Sequence, residues 1–526
     1  MTTLSQLRNV SDRGVTRSRV KGSEFGVPTL LTVIGACLMF GHLLLKEYMP
    51  SATYGILGFV LVAGVLFSLL MVRRDVFGFV LVIYVLSHFA YADNQGGLWN
   101  LLSFGLALIY LTFVNRHDRL RKPDLLIDLL LIVFVLTNAA GWIVKNPMPV
   151  TEKALGAASL LSYVLIFRLV GNLPLDPQRV RRFLLVTAVM VTYLLLVGIN
   201  QRYAFFNINT PLLGAYSAKH GAITYGSTNA QGTFRHSELY GEYSVLMLAL
   251  LVPFLSASLT QRVLKIPMVG LLCMAILCVG GVLITSTRST AILTVFVCAI
   301  YFVVLQAKLI AAIDSAARQT LMLLLGLALV ASVGAFVGLE SLREDLEQLG
   351  QVEFSTESVL SGKALNRGGL FDLAMERMQS ESWIIGFGHG IYRSNLWAWL
   401  GADPKSFTNR LADFHQLYVS LPMLYGWMGS AAFLLLVLII ASRVFITLLQ
   451  HRRKRNILLV MLTGFSMFWF VFLADQYKIS ILRNSGYTMM FWIWLGLSNA
   501  AVKTLRRDMV AARQAKGAGR ESLMVH

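Results

Sequence analysis

The sequence predicts an all-α polytopic membrane protein of about fourteen transmembrane helices, with both termini cytoplasmic and a small helical cap outside. Three observations predict it. Of 526 residues, 56% are hydrophobic and only 14% charged, with a mean hydropathy of +0.65; a soluble domain of this length needs far more charged surface. Apolar runs of the roughly 20 residues that span a bilayer recur almost end to end. Basic residues collect in alternate connections, as they do in cytoplasmic loops.

Taken in order, residues 1–26 are polar and basic without an apolar core, so they form no cleavable signal peptide. Arg8, Arg13, Arg17, Arg19 and Lys21 hold them in the cytoplasm. Residues 27–339 carry the first eleven helices, in apolar runs at about 28–47, 53–71, 76–92, 97–114, 125–144, 154–171, 183–200, 239–258, 266–284, 290–307 and 319–339. A periplasmic loop interrupts them at about 201–237. A larger periplasmic loop, 340–417, precedes the last three helices within 418–502, at about 418–447, 456–474 and 486–502. Residues 503–526 are a cytoplasmic basic tail. Under this assignment Arg73, Arg74, Arg181, Arg182, Arg452, Arg453, Lys454, Arg455 and Lys503 all lie inside, with about three fifths of all Lys and Arg. The net charge of +19 therefore reflects membrane topology, and nucleic acid is excluded as a partner.

Long loops usually serve function. In the second, residues 340–349 and the set Phe371, Ala374, Met375 and Met378, behind a cap at Asn366, have helical spacing and predict the cap. Cys37, Cys273, Cys278 and Cys298 lie in apolar runs and read as small buried hydrophobes. No G-x-S-x-G, H-E-x-x-H or GxxxxGK[ST] motif supports a hydrolase, zincin or ATPase.

Arg288 stands between two spans with no room for a loop, at the bilayer edge, where a charge is costly and its planar fork suits phosphate oxygens. His415, where the large loop re-enters the membrane, is a natural proton acceptor. Pro422, Gly426 and Gly429 break the helix that follows. Arg235 and Arg367 are further outward arginines. His236, Glu238 and Glu242 read as an exposed helix start, not a metal site.

In order along the chain, Gly232-Thr233-Phe234 with His236, then Ser286-Thr287-Arg288, then Arg367 with Gly386-Phe387-Gly388, and finally His415-Gln416-Leu417-Tyr418 with Gly426 and Gly429 resemble the motifs of the O-antigen ligase and O-antigen polymerase superfamily of bacterial membrane glycosyltransferases. The resemblance covers about residues 231–436. Gln416 replaces the usual Asn, Tyr425 a common acidic residue and Phe371 a common Trp.

The resemblance implies an inner-membrane enzyme with its site facing the periplasm. It would transfer glycan from an undecaprenyl-pyrophosphate-linked donor to a glycan or lipid acceptor hydroxyl, inverting and without metal or cofactor. His415 would be general base and Arg288 the pyrophosphate clamp. Arg367, Arg235, His236, Gly388, Gln416 and Tyr418 would bind pyrophosphate and glycan. The spans near Pro422 would leave a lateral opening for the polyprenyl tail. Polymerisation of exopolysaccharide or O-antigen repeat units is preferred, with chain-length regulator and export proteins as further partners. Ligation to lipid A-core or protein, or a lipid-linked glycan flippase, stays open.

Overall fold

The computed structural model describes residues 76–89, 124–203, 230, 232–234, 237–260, 268–285, 287–306, 326, 368–381, 383–389, 399, 417–451, 456–476 and 480–524. Every predicted span within them is a helix. These are α1 (Val76–Phe89), α2 (Leu125–Val144), α3 (Val150–Asn172), α4 (Pro177–Tyr203), α5 (Ser237–Thr260), α6 (Met268–Thr285) and α7 (Arg288–Gln306). After the short α8 (Gly368–Ser380) come α9 (Leu417–His451), α10 (Ile457–Asp475), a 3₁₀ turn (Ile481–Arg483) and α11 (Ser485–Met524). The described residues contain no strand. The expected spans at 28–47, 53–71, 97–114 and 319–339 lie outside the described residues, Gly326 apart.

The chain divides between Val82 and Ile83 into two compact units. Of the first, only Val76–Val82, the opening turns of α1, is described. All that follows concerns the second.

Among the described residues, six helices are long and apolar enough to cross a membrane: α2, α3, most of α4, the start of α5, α9 and α10. The protein is therefore membrane-embedded. Local signals set the helix ends. Asp176 accepts the Arg179 N–H ahead of α4, with Pro177 at its first position. Asn456 accepts the Leu458 N–H ahead of α10, and Asn484 that of Tyr487 ahead of α11. α11 runs unbroken through the expected cytoplasmic tail as far as Met524.

Helix α5 is the hub. Its spanning window is 94% buried, against 39% for α2 and α9, because α6, α10 and α7 pack around it. Small residues permit this: a Cβ on Gly464 of α10 would lie 2.7 Å from the Leu250 carbonyl, and one on Gly281 of α6 would lie 2.5 Å from Ser244 Oγ. A second set pairs α3 with α11 and α2 with α9. Leu125, Leu129, Ile132, Leu136 and Ile143 form an exposed apolar stripe at helical spacing on α2, the face a lipid-bathed helix presents.

Charges cross-brace one end of the bundle. Arg443 of α9 binds Asp124 through both guanidinium nitrogens, the second at 3.1 Å. Arg168 of α3 binds Asp128 of α2. Lys503 of α11 donates to Asn172 at 3.1 Å; burial pulls its ammonium below the usual range, against the opposing field of Asp124.

Candidate functional site

The opposite end gathers the candidate motifs. Ala230 donates to the Ile284 carbonyl at 3.1 Å, so the turn before α5 is anchored on the end of α6. Gly232 takes φ +57°, a conformation that costs glycine nothing. Gln201, near the end of α4, clasps it twice: the side-chain amide donates to the Gly232 carbonyl and its oxygen accepts the Gly232 N–H, both at 2.9 Å. The Thr233 hydroxyl donates to the His88 carbonyl, and Asn484 donates to the Phe234 carbonyl at 3.3 Å. The ends of α1, α4, α6 and the start of α11 thus all hold the Gly232-Thr233-Phe234 turn. Arg235 and His236 follow it immediately, and lie outside the described residues.

Arg288 is the first residue of α7, with two residues between it and the end of α6; the absence of a loop, expected from spacing, is observed. Its side chain lies outside the described set. The turn it opens packs on the first turns of α5, where a Cβ on Gly241 would lie 2.6 Å from Thr290 and 2.9 Å from Thr287. The Thr285, Thr287 and Thr290 hydroxyls form one chain there.

His415 and Gln416 lie outside the described residues and directly precede Leu417, the first residue of α9. Gln476, at the end of α10, joins that end of α9 to α5. Its carbonyl accepts the Leu417 N–H at 3.0 Å, its side-chain amide donates to Glu242 at 2.8 Å, and its side-chain oxygen accepts the Ile481 N–H at 3.0 Å. The Tyr418 hydroxyl donates to the Leu473 carbonyl of α10. The starts of α5, α7 and α9 therefore meet around the end of α10. The positive ends of three helix dipoles point the same way there.

Glu242 corrects the reading of an exposed helix start: it is wholly buried, against Gln476 and Asp475. Gln476 and Asp475 carried no sequence signal of their own, since an acid and an amide at the end of an apolar run read as an ordinary loop entry. Tyr243 and His88 form another buried pair at 2.9 Å. His88 Nδ1 faces the Tyr84 carbonyl at 2.8 Å and so carries the proton, leaving Nε2 to accept from the phenol.

Gly388 stands elsewhere. Helix α9 breaks at Gly426, φ +69°, and residues 383–388 fill the break. Phe387 N–H donates to the Met423 carbonyl at 3.2 Å and Gly388 N–H to that of Leu424 at 2.6 Å. In return Trp427 and Met428 donate to the carbonyls of Trp383 and Ile384. The Trp383 indole adds a bond to the Pro422 carbonyl at 2.8 Å. These bonds supply the donors that the carbonyls freed by the break near Pro422 need at membrane depth. Gly388 has φ +84° and sits against Trp142. Next to it, burial holds the His389 imidazole down at a pKa of about 4; its Nδ1 lies 3.1 Å from the Tyr425 hydroxyl.

Helix α8 forms where cap spacing predicted it and turns Ala374 and Met378 inward. Arg367 directly precedes it, outside the described residues, as do Asn366 and residues 340–349. Among the described residues no three His, Cys, Asp or Glu residues group as metal ligands. Comparison with protein-family models gives no match, and comparison with curated protein sequences gives no significant relative.

Proposed function

We propose that this protein is a membrane glycosyltransferase that moves glycan from an undecaprenyl-pyrophosphate carrier to an acceptor hydroxyl at the periplasmic face, polymerising repeat units of an exopolysaccharide or O-antigen. One observation carries the reading most: the three helix starts that bear Arg235 and His236, Arg288, and His415 meet at one end of the bundle, joined by Gln476 and by the Gly241–Thr290 contact. A departing diphosphate gains negative charge, and helix N-termini with arginines are suited to stabilise it.

In this reading Arg288 is the first clamp on the diphosphate, with Arg367 and Arg235 assisting. His415 accepts the proton of the acceptor hydroxyl, for a gain of ~10²–10⁴-fold. Direct attack at the anomeric carbon inverts its configuration. His236, Gln416 and Tyr418 complete the contacts to pyrophosphate and sugar. Gly388, whose N–H is bound to Leu424 at the break in α9, stands apart from these contacts.

The test is complementation of a deletion strain by wild type, Arg288→Ala and His415→Ala at matched membrane levels, with lipid-linked intermediates quantified by size and sidedness. Single repeat units stalled on the periplasmic face are the expected result. Finished chains left on the carrier would make it a ligase to lipid A-core or protein. Units collecting on the cytoplasmic face would make it a transporter. Unchanged glycan in both variants would overturn the site.

A further inference from the structure

The last two turns of α4 touch two corners of the candidate site at once. Gly198, Gln201 and Arg202 recur at the spacing that puts them on one face of the helix. A Cβ on Gly198 would lie 2.5 Å from Ile284 Cδ1, 3.1 Å from Tyr240 Cε1 and 3.5 Å from Ala230 Cβ. Helix α4 is thus pressed against the end of α6, the first turn of α5 and the residue ahead of the Gly232 turn. Helix α6 ends at Thr285, which leaves the Leu283 and Ile284 carbonyls without helical donors. Arg202, half-buried, donates to both, at 3.2 and 3.4 Å, and a cation is favoured at the negative end of a helix dipole. The Ile284 carbonyl also accepts the Ala230 N–H. Gln201, itself buried, holds both the N–H and the carbonyl of Gly232. Two adjacent side chains therefore fix the corner that leads into Arg288 and the turn that leads into Arg235 and His236.

We infer that Gln201 and Arg202 are a positioning pair for the diphosphate site: together they hold the start of α7, with Arg288, at one fixed spacing from the turn that precedes Arg235 and His236. The pair rests on the transferase reading for what the two corners grip. Charges on separate helices stabilise a diphosphate best when their spacing matches it before the substrate arrives, since a clamp that must first be assembled spends binding energy on ordering. The residue types suit the two tasks. A guanidinium stays charged at every working pH and carries several donors in one plane, enough for two successive carbonyls. A side-chain amide both gives and accepts, so it answers the N–H and the carbonyl of one residue. Neither side chain needs to touch the substrate; each acts through the backbone it holds.

The test pairs hydrogen exchange with binding of undecaprenyl pyrophosphate, both on the full chain in lipid nanodiscs. Arg202→Met should raise exchange in the peptide that spans the end of α6 and the start of α7, and Gln201→Met in the peptide containing Gly232. Peptides of α2 should exchange as in wild type. Arg202→Lys, which keeps the charge and a donor, should restore part of the protection. Each Met variant should weaken diphosphate binding about 2- to 30-fold, with Arg202→Lys closer to wild type. In an Arg288→Ala background Arg202→Met should cost nothing further, because no clamp is left to position. A further loss there would overturn the inference, since Arg202 would then bind the ligand or hold the fold by itself. So would wild-type exchange at both corners in the Met variants. If the wild type does not bind undecaprenyl pyrophosphate, or Arg288→Ala binds it as the wild type does, the transferase reading falls, and exchange at the two corners alone decides the pair.

Discussion

A methyl group on Gly426 would lie 2.2 Å from the Ile384 carbonyl oxygen, and the backbone there stands at φ +69°. Gly426→Ala therefore combines left-handed strain with a clash against backbone that cannot give way. A loss of at least about 2 kcal/mol is expected, read as a lower melting temperature in detergent. His389 carries the pH dependence at this scale. Its pKa falls from 6.5 in the unfolded chain to about 4 in the fold, so the unfolded chain binds the extra proton between those values. The stability from the neutral ring is complete above about pH 6.5 and drains away as pH falls toward 4, by up to about 3 kcal/mol. His389→Gln should flatten that part of the melting profile. Gly426 was legible in the sequence as a helix breaker, whereas the burial of His389 was not: a histidine flanked by glycines reads as loop, and it is Tyr163 and Tyr425 that stand against the ring.

At the scale of elements, helix starts, helix ends and the short α8 followed from apolar runs, caps and spacing. The pairing of residues 383–388 with α9 did not. Pro422 and Gly426 announced a break and Gly386-Phe387-Gly388 a close approach, but nothing local says that the one fills the other. Trp383→Phe removes the indole bond to the Pro422 carbonyl and leaves an acceptor unmet, at a cost of about 1–3 kcal/mol by thermal unfolding. At the other end of α9, Asp124→Asn and Arg443→Gln should each destabilise and the double variant should fall short of their sum, with a coupling of about 0.5–3 kcal/mol. Additive effects would mean that the pair does not join α2 to α9.

Across the whole molecule, charge distribution announced a membrane protein with alternating helix ends, and the described helices alternate accordingly. Glu381 and Arg507 are both exposed, at opposite ends of the bundle. Cysteines placed there in a background lacking the native four should react with an impermeant reagent from opposite sides of sealed vesicles. Labelling from one side would break the alternation. The buried carboxyls were illegible at this scale as well. Helix α5 is enclosed on every side, so its apolar pattern has no face to betray, and the depth of Glu242 is a property of the bundle alone.

The segment that fills the break in α9 leaves the ribosome before α9 does, which sets an order to biogenesis. When Phe387 and Gly388 emerge, Met423 and Leu424, whose carbonyls they serve, have yet to be made. The segment must wait in water, and the first half of α9 must enter lipid with its broken turn unsatisfied, a state that costs several kcal/mol per orphaned group. Insertion of α9 and docking of the preceding loop are therefore one event. A nascent chain halted between the two is the form of this protein most exposed to quality-control proteolysis.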